Sequence, residues 1–86
     1  MSKKAEPMWH PASEKPTDEH ASYAVLVESH GKRYIYFDSN YDEYNGFEFW
    51  EDQDYGIYCW SPIKENVIGW MNQEDLEKYL ISLHNE

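Results

Sequence analysis

The chain has 86 residues with 17 acidic and 7 basic side chains, a formal net charge of −10, and this charge argues against direct nucleic-acid binding because phosphates are bound by Lys and Arg. Its length fits one domain with a small core, and four Trp, eight Tyr and three Phe supply enough burial to exclude a disordered chain. The single cysteine, Cys59, excludes an internal disulfide. No apolar run reaches the ~18 residues of a membrane span or resembles a signal peptide, and we therefore expect a cytoplasmic protein without membrane contacts.

The N-terminal region is expected to begin with a flexible tail over residues 1–8. The next segment, "WHPASEKPTDEHAS" (9–22), is rich in Pro and in turn-forming residues. This composition predicts an irregular arm, held in place by Trp9 and by the rigid Pro11 and Pro16.

A β-hairpin is predicted next. The segment "SYAVLVES" (22–29) is apolar and β-branched at its centre, as strands commonly are. The turn "HGK" (30–32) follows, where Gly31 can adopt a positive φ, and "KRYIYFD" (32–38) returns as the second strand. The polar segment "SNYDEYN" (39–45) is typical of a loop.

The middle of the chain predicts further strands, because apolar and polar residues alternate there. We expect strands at "GFEFWED" (46–52) and "IYCWS" (57–61), joined by a turn at "QDYG" (53–56). A short fifth strand or extended segment is predicted at "VIGWM" (67–71).

The C-terminal segment "NQEDLEKYLISLHNE" (72–86) has the apolar period of a helix. One face of this helix carries Leu76, Tyr79, Leu80 and Leu83. Asn72 is a natural N-cap, Asn85 suits the C-terminal end, and the acidic residues of the first turn favour the helix dipole. We therefore predict a single α+β domain over residues 9–86, a small antiparallel sheet of four to five strands with one C-terminal helix packed on it.

The most unusual stretch is "DSNYDEYNGFEFWEDQDYG" (38–56), which holds seven carboxylates, six aromatic rings and no Lys or Arg. The first, third and fifth ligand positions of a calcium loop would be filled by Asp38, Asn40 and Asp42. The match then fails, because Glu43 replaces the required Gly and Phe49 replaces the bidentate Glu. The four histidines are too scattered for a zinc site, so we expect no metal and no other cofactor.

Catalysis is also not favoured by this stretch. A carboxylate pair such as Glu48 with Asp52, or Asp38 with Asp42, would need one buried carboxyl group with a raised pKa, whereas so acidic a segment predicts solvated carboxylates. Cys59 lies in the middle of a strand with no positioned His, which is typical of a small buried residue rather than a nucleophile. We therefore expect a protein that is not an enzyme.

The remaining interpretation is a negatively charged binding surface. If Phe47 and Phe49 point inward, Glu48 and Trp50 point outward, and acidic side chains on one strand face recur every ~6.6–7 Å, similar to the phosphate spacing of a nucleic acid. Such a surface attracts basic partners, and exposed Tyr and Trp are favoured anchors. The candidate charged residues are Asp38, Asp42, Glu43, Glu48, Glu51, Asp52 and Asp54. The candidate anchors are Tyr41, Tyr44, Trp50 and Tyr55. The alternative is that these rings complete a small core and the acids keep the protein soluble.

Four short motifs carry a family resemblance: "WHPASEKP" (9–16), "VLV" (25–27), "FW" (49–50) and "VIGWM" (67–71). Together they resemble a family of small phage and prophage domains of unknown function. Members of that family have a Trp/Pro arm before a Val-Leu-Val strand, a mid-chain aromatic cluster and a closing His-Trp-Met-Pro segment. The matching positions are Trp9, Pro16, Val25, Val27, Trp50, Trp70 and Met71. The chain departs from the pattern at Gly69, where the family has His, and at Asn72, where it has Pro.

This resemblance implies a small accessory protein of a mobile element in a bacterial host cell. By analogy of size, charge and origin, it implies an inhibitor such as an anti-CRISPR or anti-restriction factor that imitates DNA. The hypothesis is therefore a binding protein whose acidic aromatic surface docks on a basic site of a host nucleic-acid-binding protein. The alternative is a structural accessory protein that forms a homodimer or larger oligomer through its aromatic rings.

Overall fold

The structure, a computed structural model, describes residues 8–18 and 20–85. The tail expected over residues 1–8 lies outside this part of the chain, except for the exposed Met8. The elements are β1 (His10–Pro11), β2 (Tyr23–Ser29), β3 (Lys32–Asp42), β4 (Gly46–Asp54), β5 (Ile57–Pro62), β6 (Asn66–Asn72) and α1 (Gln73–His84). The strands form one antiparallel sheet in the order β1-β6-β2-β3-β4-β5. The predicted α+β class is confirmed, but the sheet has six strands rather than four to five.

The additional strand is β1, which lies in the arm that we expected to be irregular. It pairs with β6 through His10 opposite Trp70 and Pro11 opposite Gly69. The strands approach so closely that a Cβ atom at position 69 would lie 2.7 Å from the His10 carbonyl oxygen. The Trp70 indole also donates a 2.7 Å hydrogen bond to the carbonyl of Glu14, which holds the arm against the sheet.

Strand β3 is longer than predicted and contains a bulge. Its first part pairs with β2, and only its last residues, from Asn40 onward, pair with β4. Two residues of β3 lie between Tyr36 and Ser39, whereas their partners on β2, Val25 and Tyr23, are separated by one residue. Asp38, in this bulge, has a positive φ of 54°. Asp is one of the few non-glycine residues that adopt this left-handed conformation readily, so the chain can change direction at this point.

The bulge accompanies a strong bend of the sheet. Strands β5 and β6 are separated by β4, β3 and β2, which would place them roughly 19 Å apart in a flat sheet. The connection from Pro62 to Asn66 spans at most about 14 Å. The sheet must therefore curl, and this brings the start of β4 over β2 and β6.

The curled sheet has a core on each side. Its concave side buries Tyr23, Val25, Val27, Phe47 and Trp70. Its other side buries Ala24 and Met71 against Leu76 of the helix, with Trp9, Ile35 and Tyr79 packed around them. Alternate residues of β2 thus serve opposite cores, as the period of a strand requires.

The helix begins and ends near the predicted residues. The Asn72 side chain accepts a 2.9 Å hydrogen bond from the backbone N–H of Glu74, and Asn85 is the C-terminal cap. Leu76 is buried, whereas Leu80 and Leu83 are exposed. The predicted apolar face therefore contacts the sheet through Leu76 and Tyr79 but not through Leu80 and Leu83, because periodicity identifies a face but not how far the sheet extends beneath it. Within the described residues, no helix has the length and apolarity needed to cross a membrane.

Candidate functional site: an aromatic and acidic hairpin

The outer part of β4 and β5 extends beyond the rest of the sheet. Within the described residues, β4 pairs with β3 only over Gly46 to Glu48, and from Phe49 onward it pairs with β5 alone. We call residues 49–61 the distal hairpin. Its turn has positive φ angles at both Tyr55 (44°) and Gly56 (87°), as a two-residue type I′ turn requires.

One face of the distal hairpin carries an exposed aromatic cluster, formed by Trp50, Tyr58 and Trp60. Trp50 lies directly opposite Trp60, and Tyr58 lies on the same face two residues closer to the turn, opposite Asp52. The Trp50 and Tyr58 rings are stacked with centroids 5.9 Å apart, and the Trp50 and Trp60 rings meet edge to face at 5.1 Å. Their exposed fractions are 54%, 52% and 42%.

The aromatic cluster lies outside both cores of the fold. Large rings contribute most when they are fully removed from water, and these three are only half covered by one another. Contiguous exposed apolar surface of this kind is typical of an interaction site. Tyr55 at the turn is 100% exposed, so its side chain packs against nothing in the fold.

The acidic residues of the distal hairpin are Glu51, Asp52 and Asp54. The Asp52 carboxylate accepts a 3.2 Å hydrogen bond from the Gly56 N–H, and Glu51 accepts one of 2.9 Å from the Gln53 side chain. None of the three is in an ion pair within residues 8–18 and 20–85. The ion pairs found there join His10 to Glu14, Arg33 to Glu28 and Lys78 to Glu74. Within the part of the chain that the structure describes, no cation is therefore paired with the carboxylates of the distal hairpin.

A second group of candidates lies at the opposite end of β4. Asp42 accepts hydrogen bonds from the N–H groups of Tyr44 (3.3 Å) and Asn45 (2.9 Å), so it closes the β3–β4 turn, in which Glu43 and Tyr44 are exposed. Strand β4 is roughly 26 Å long at ~3.3 Å per residue. The stretch 38–56 thus supplies two separate acidic groups rather than one continuous patch.

Three predicted residues have structural roles instead. Glu48, expected to point outward, is 7% exposed and accepts a 3.1 Å hydrogen bond from Asn40. It is buried because Asn40 and Pro62 flank it on the neighbouring strands, which alternation along one strand cannot reveal. Tyr41 packs against Phe47 at a centroid distance of 5.0 Å and borders the concave core. Asp38 accepts a 2.7 Å hydrogen bond from Gln73 at the bulge of β3.

Two members of the aromatic cluster, Tyr58 and Trp60, were missed by sequence reasoning. Part of the signal was the alternation of "IYCWS" (57–61), which places Tyr58 and Trp60 on one face of β5. Counting outward from the Tyr55–Gly56 turn would have paired Trp50 with Ser61 instead of Trp60, because the register of β4 and β5 shifts by one residue between Asp52 and Asp54.

A cleft of about 480 Å³ lies between β3 and the other face of the distal hairpin. The Tyr36 and Phe49 rings, 5.3 Å apart, form one wall. The hydroxyl groups of Tyr34 and Tyr36 both donate to one carboxylate oxygen of Glu65, at 2.6 and 2.5 Å. These two hydrogen bonds lower the pKa of Glu65, and the bond from Tyr34 has the larger effect. The pKa of Tyr36 is raised, mainly by burial and secondly by its hydrogen bond to Glu65.

The residues that could support metal binding or nucleophilic chemistry are dispersed. Among the described residues, no three His, Cys, Asp or Glu side chains are grouped to hold a metal ion. Cys59 is half-buried, with its sulfur 3.9 Å from the Ser61 hydroxyl. Comparison of the chain with protein-family models, with curated proteins and with solved structures gave no match.

Proposed function

We propose that the protein is a non-enzymatic binding protein that uses the distal hairpin to dock on a basic site of a partner protein. The observation that carries this proposal is the aromatic cluster beside three carboxylates that form no ion pair with any cation of the described residues. Aromatic rings supply contact area at low entropic cost, and the carboxylates steer a positively charged surface toward them.

The expected partner is a bacterial nucleic-acid-binding protein, because a basic surface of that class is complementary to the distal hairpin. By covering that surface, the protein would act as an inhibitor of the anti-CRISPR or anti-restriction type. The net charge of −10 and the family resemblance support this class of function. The separate group formed by Asp42, Glu43 and Tyr44 is outside the docking surface in this proposal.

Self-association through the aromatic cluster is the alternative, because exposed rings of two copies could cover one another. Two copies would also bring the carboxylates of both hairpins together, and charges closer than the Debye length of roughly 8 Å still repel at physiological salt. A basic partner removes this repulsion, and we therefore prefer it.

The test is co-purification from bacterial lysate at low and high salt with a matched pair of charge reversals. Asp54→Lys changes the distal hairpin and Glu43→Lys changes the opposite end of β4, and both residues are exposed. We expect Asp54→Lys to weaken capture of the partner and Glu43→Lys to leave it unchanged. Capture that is independent of salt, or that is equally affected by both substitutions, would contradict the proposal.

The inhibitory step needs a separate measurement on the captured protein. Its binding to labelled DNA or RNA is measured with and without an excess of this chain. We expect competition by the unchanged protein and none by the triple variant Glu51→Lys, Asp52→Lys and Asp54→Lys. Binding of nucleic acid that is unaffected by the chain would leave a docking protein without an inhibitory role.

A further inference from the structure

Strand β5 is an edge of the sheet, and no strand of the described residues pairs with its outer side. Native proteins usually block such edges with charged residues, Pro or very short strands. The opposite edge follows this rule, because β1 has two residues and the second is Pro11. Strand β5 has neither a charge nor a Pro between Ile57 and Ser61, so its edge is open to pairing.

The outward-facing backbone groups of β5 can be identified from its end. Ile63 donates its N–H to the carbonyl of Phe47 at 2.9 Å, so the odd-numbered residues of this strand face β4. Pro62 has no N–H to donate and belongs to the opposite set. In an antiparallel ladder the two sets alternate, and the N–H and C=O groups of Tyr58 and Trp60 therefore point away from the sheet.

The free edge is flanked by different surfaces on its two faces. Tyr58 and Trp60 present the aromatic cluster on one face. Ser61 lies on the other face, together with Glu51, at the cleft. The free edge of β4 differs, because Asp52 and Asp54 place charges along it, which is one of the ways in which edges are protected.

The negative charge around β5 favours the addition of a strand that carries positive charge. The distal hairpin holds three carboxylates and no Lys or Arg, and Lys64 lines the cleft beside Glu51 and Asp52, so a second copy would add more negative than positive charge to this region. A strand with Lys or Arg at alternate positions would instead place its cations on the face of the exposed rings, where cation–π attraction is strongest for Trp and where Asp52 also lies.

We infer that β5 accepts an extended basic segment of the partner as an additional antiparallel or parallel strand. This inference rests on the proposed function and specifies how the partner binds. Backbone hydrogen bonds at Tyr58 and Trp60 supply affinity, and the alternating side chains of the segment supply specificity through the aromatic cluster and the cleft.

The test uses a blocked peptide of alternating Lys and Val as the probe, with a peptide of alternating Glu and Val as its control. Amide hydrogen exchange is followed residue by residue by NMR. We expect the Lys/Val peptide, but not the Glu/Val peptide, to slow amide exchange at Tyr58 and Trp60 by about tenfold or more. Exchange at Cys59, whose N–H is already bonded within the hairpin, should change little. Failure of the Lys/Val peptide to bind, or binding without protection at both Tyr58 and Trp60, would overturn the inference. Protection that increases with protein concentration in the absence of peptide would also overturn it, since a second copy would then be the added strand.

A pair of substitutions separates the backbone contribution from that of the side chain. Trp60→Ala removes the ring and keeps the outward N–H, whereas Trp60→Pro removes both, and Pro is tolerated where an edge N–H faces solvent. We expect Trp60→Pro to weaken peptide binding at least several-fold more than Trp60→Ala, with the NMR signals of Val25 and Val27 unchanged as a check of the fold. Equal effects would refute strand addition. The triple variant Glu51→Lys, Asp52→Lys and Asp54→Lys separates strand addition from the proposed function. If this variant no longer captures the partner, docking at the distal hairpin is supported even when the peptide experiment shows no added strand.

Discussion

Gln73 and Asp38 are joined by two hydrogen bonds that tie the start of the helix to the bulge of β3. The Gln73 side-chain amide donates a 2.7 Å bond to the Asp38 carboxylate, and the Asp38 backbone N–H donates to the Gln73 side-chain oxygen. Asp38 has a positive φ, and its N–H has no ladder partner at the bulge. The pair therefore fixes the point at which the sheet bends.

Replacing Gln73 by Ala should lower the free energy of unfolding by about 1–2 kcal/mol, because the two hydrogen bonds to Asp38 and an exposed one to Glu77 are lost and the Asp38 N–H must find water. Urea denaturation monitored by circular dichroism measures this change. The control is Lys78→Ala on the same helix, where only an exposed ion pair with Glu74 is lost and about 0.5 kcal/mol or less is expected. Equal effects of the two substitutions would mean that the link to β3 does not stabilise the bend.

Tyr55 should weaken the fold while it strengthens binding. It adopts a left-handed conformation that Asn occupies more easily than Tyr, and its side chain is fully exposed. We expect Tyr55→Asn to stabilise the protein by about 0.5–1 kcal/mol and to reduce partner binding.

The matched control for Tyr55 is His30, which has a similar positive φ of 53° in the turn between β2 and β3. His30→Asn should give a comparable stabilisation with no effect on binding, since this turn joins β2 to β3 and is not part of the distal hairpin. Thermal denaturation and partner capture are measured on both variants. Unchanged binding by Tyr55→Asn would remove Tyr55 from the docking surface.

Leu76 and Leu83 belong to one predicted helical face but should differ sharply in their contribution to stability. Leu76 is 3% exposed and packs on Ala24 and Met71, whereas Leu83 is 40% exposed. We expect Leu76→Ala to cost about 2–4 kcal/mol and Leu83→Ala about 0.5 kcal/mol or less. Chemical denaturation of both variants tests this, and similar losses would show that the end of the helix is also packed.

Glu65 should stabilise the protein over a limited pH range. Its pKa is lowered below the ordinary value of 4.5 by the Tyr34 and Tyr36 hydroxyl groups, so its contribution is present above that value and is lost as the pH falls through the pKa of the folded state. The pKa values of Tyr34 and Tyr36 are raised above 10.0, so their contribution is present below pH 10 and is lost as the pH rises through the folded values.

The substitution Glu65→Gln tests both limits. The stability difference between the unchanged protein and this variant should be largest near neutral pH and should shrink at pH 3 and above pH 11. Urea denaturation at the three pH values gives the difference. Tyrosinate absorbance provides a second measurement, in which the late-titrating tyrosines of the unchanged protein should move toward pH 10 in the variant. A difference that is constant with pH would contradict the role of the carboxylate charge.

The elements with strong local signals were predictable from the sequence. The helix of residues 73–84 follows from its apolar period and from the caps at Asn72 and Asn85, all of which depend on neighbouring residues. The central strand β2 follows from its β-branched and apolar run. Strand β1 was not predictable in this way, because its two residues carry no period and it exists only where Gly69 allows a close approach.

The burial of individual residues was harder to predict. Glu48 and Trp50 have the same alternation in β4, yet Glu48 is covered between two neighbouring strands and Trp50 lies where β3 no longer accompanies β4. The difference depends on where the bulge at Asp38 ends the shared ladder. Local patterning contains no signal for such a long-range event, and the split of the acidic stretch into two groups was missed for the same reason.

The two ends of β4 have different structural roles, and this difference has a consequence for how the protein could evolve. The first residues of β4 complete the hydrophobic interior, whereas those beyond Phe49 support only the neighbouring strand. Mutations in the outer portion can therefore alter recognition without threatening folding. A lineage under pressure to follow a changing target could diversify there rapidly while conserving the same scaffold.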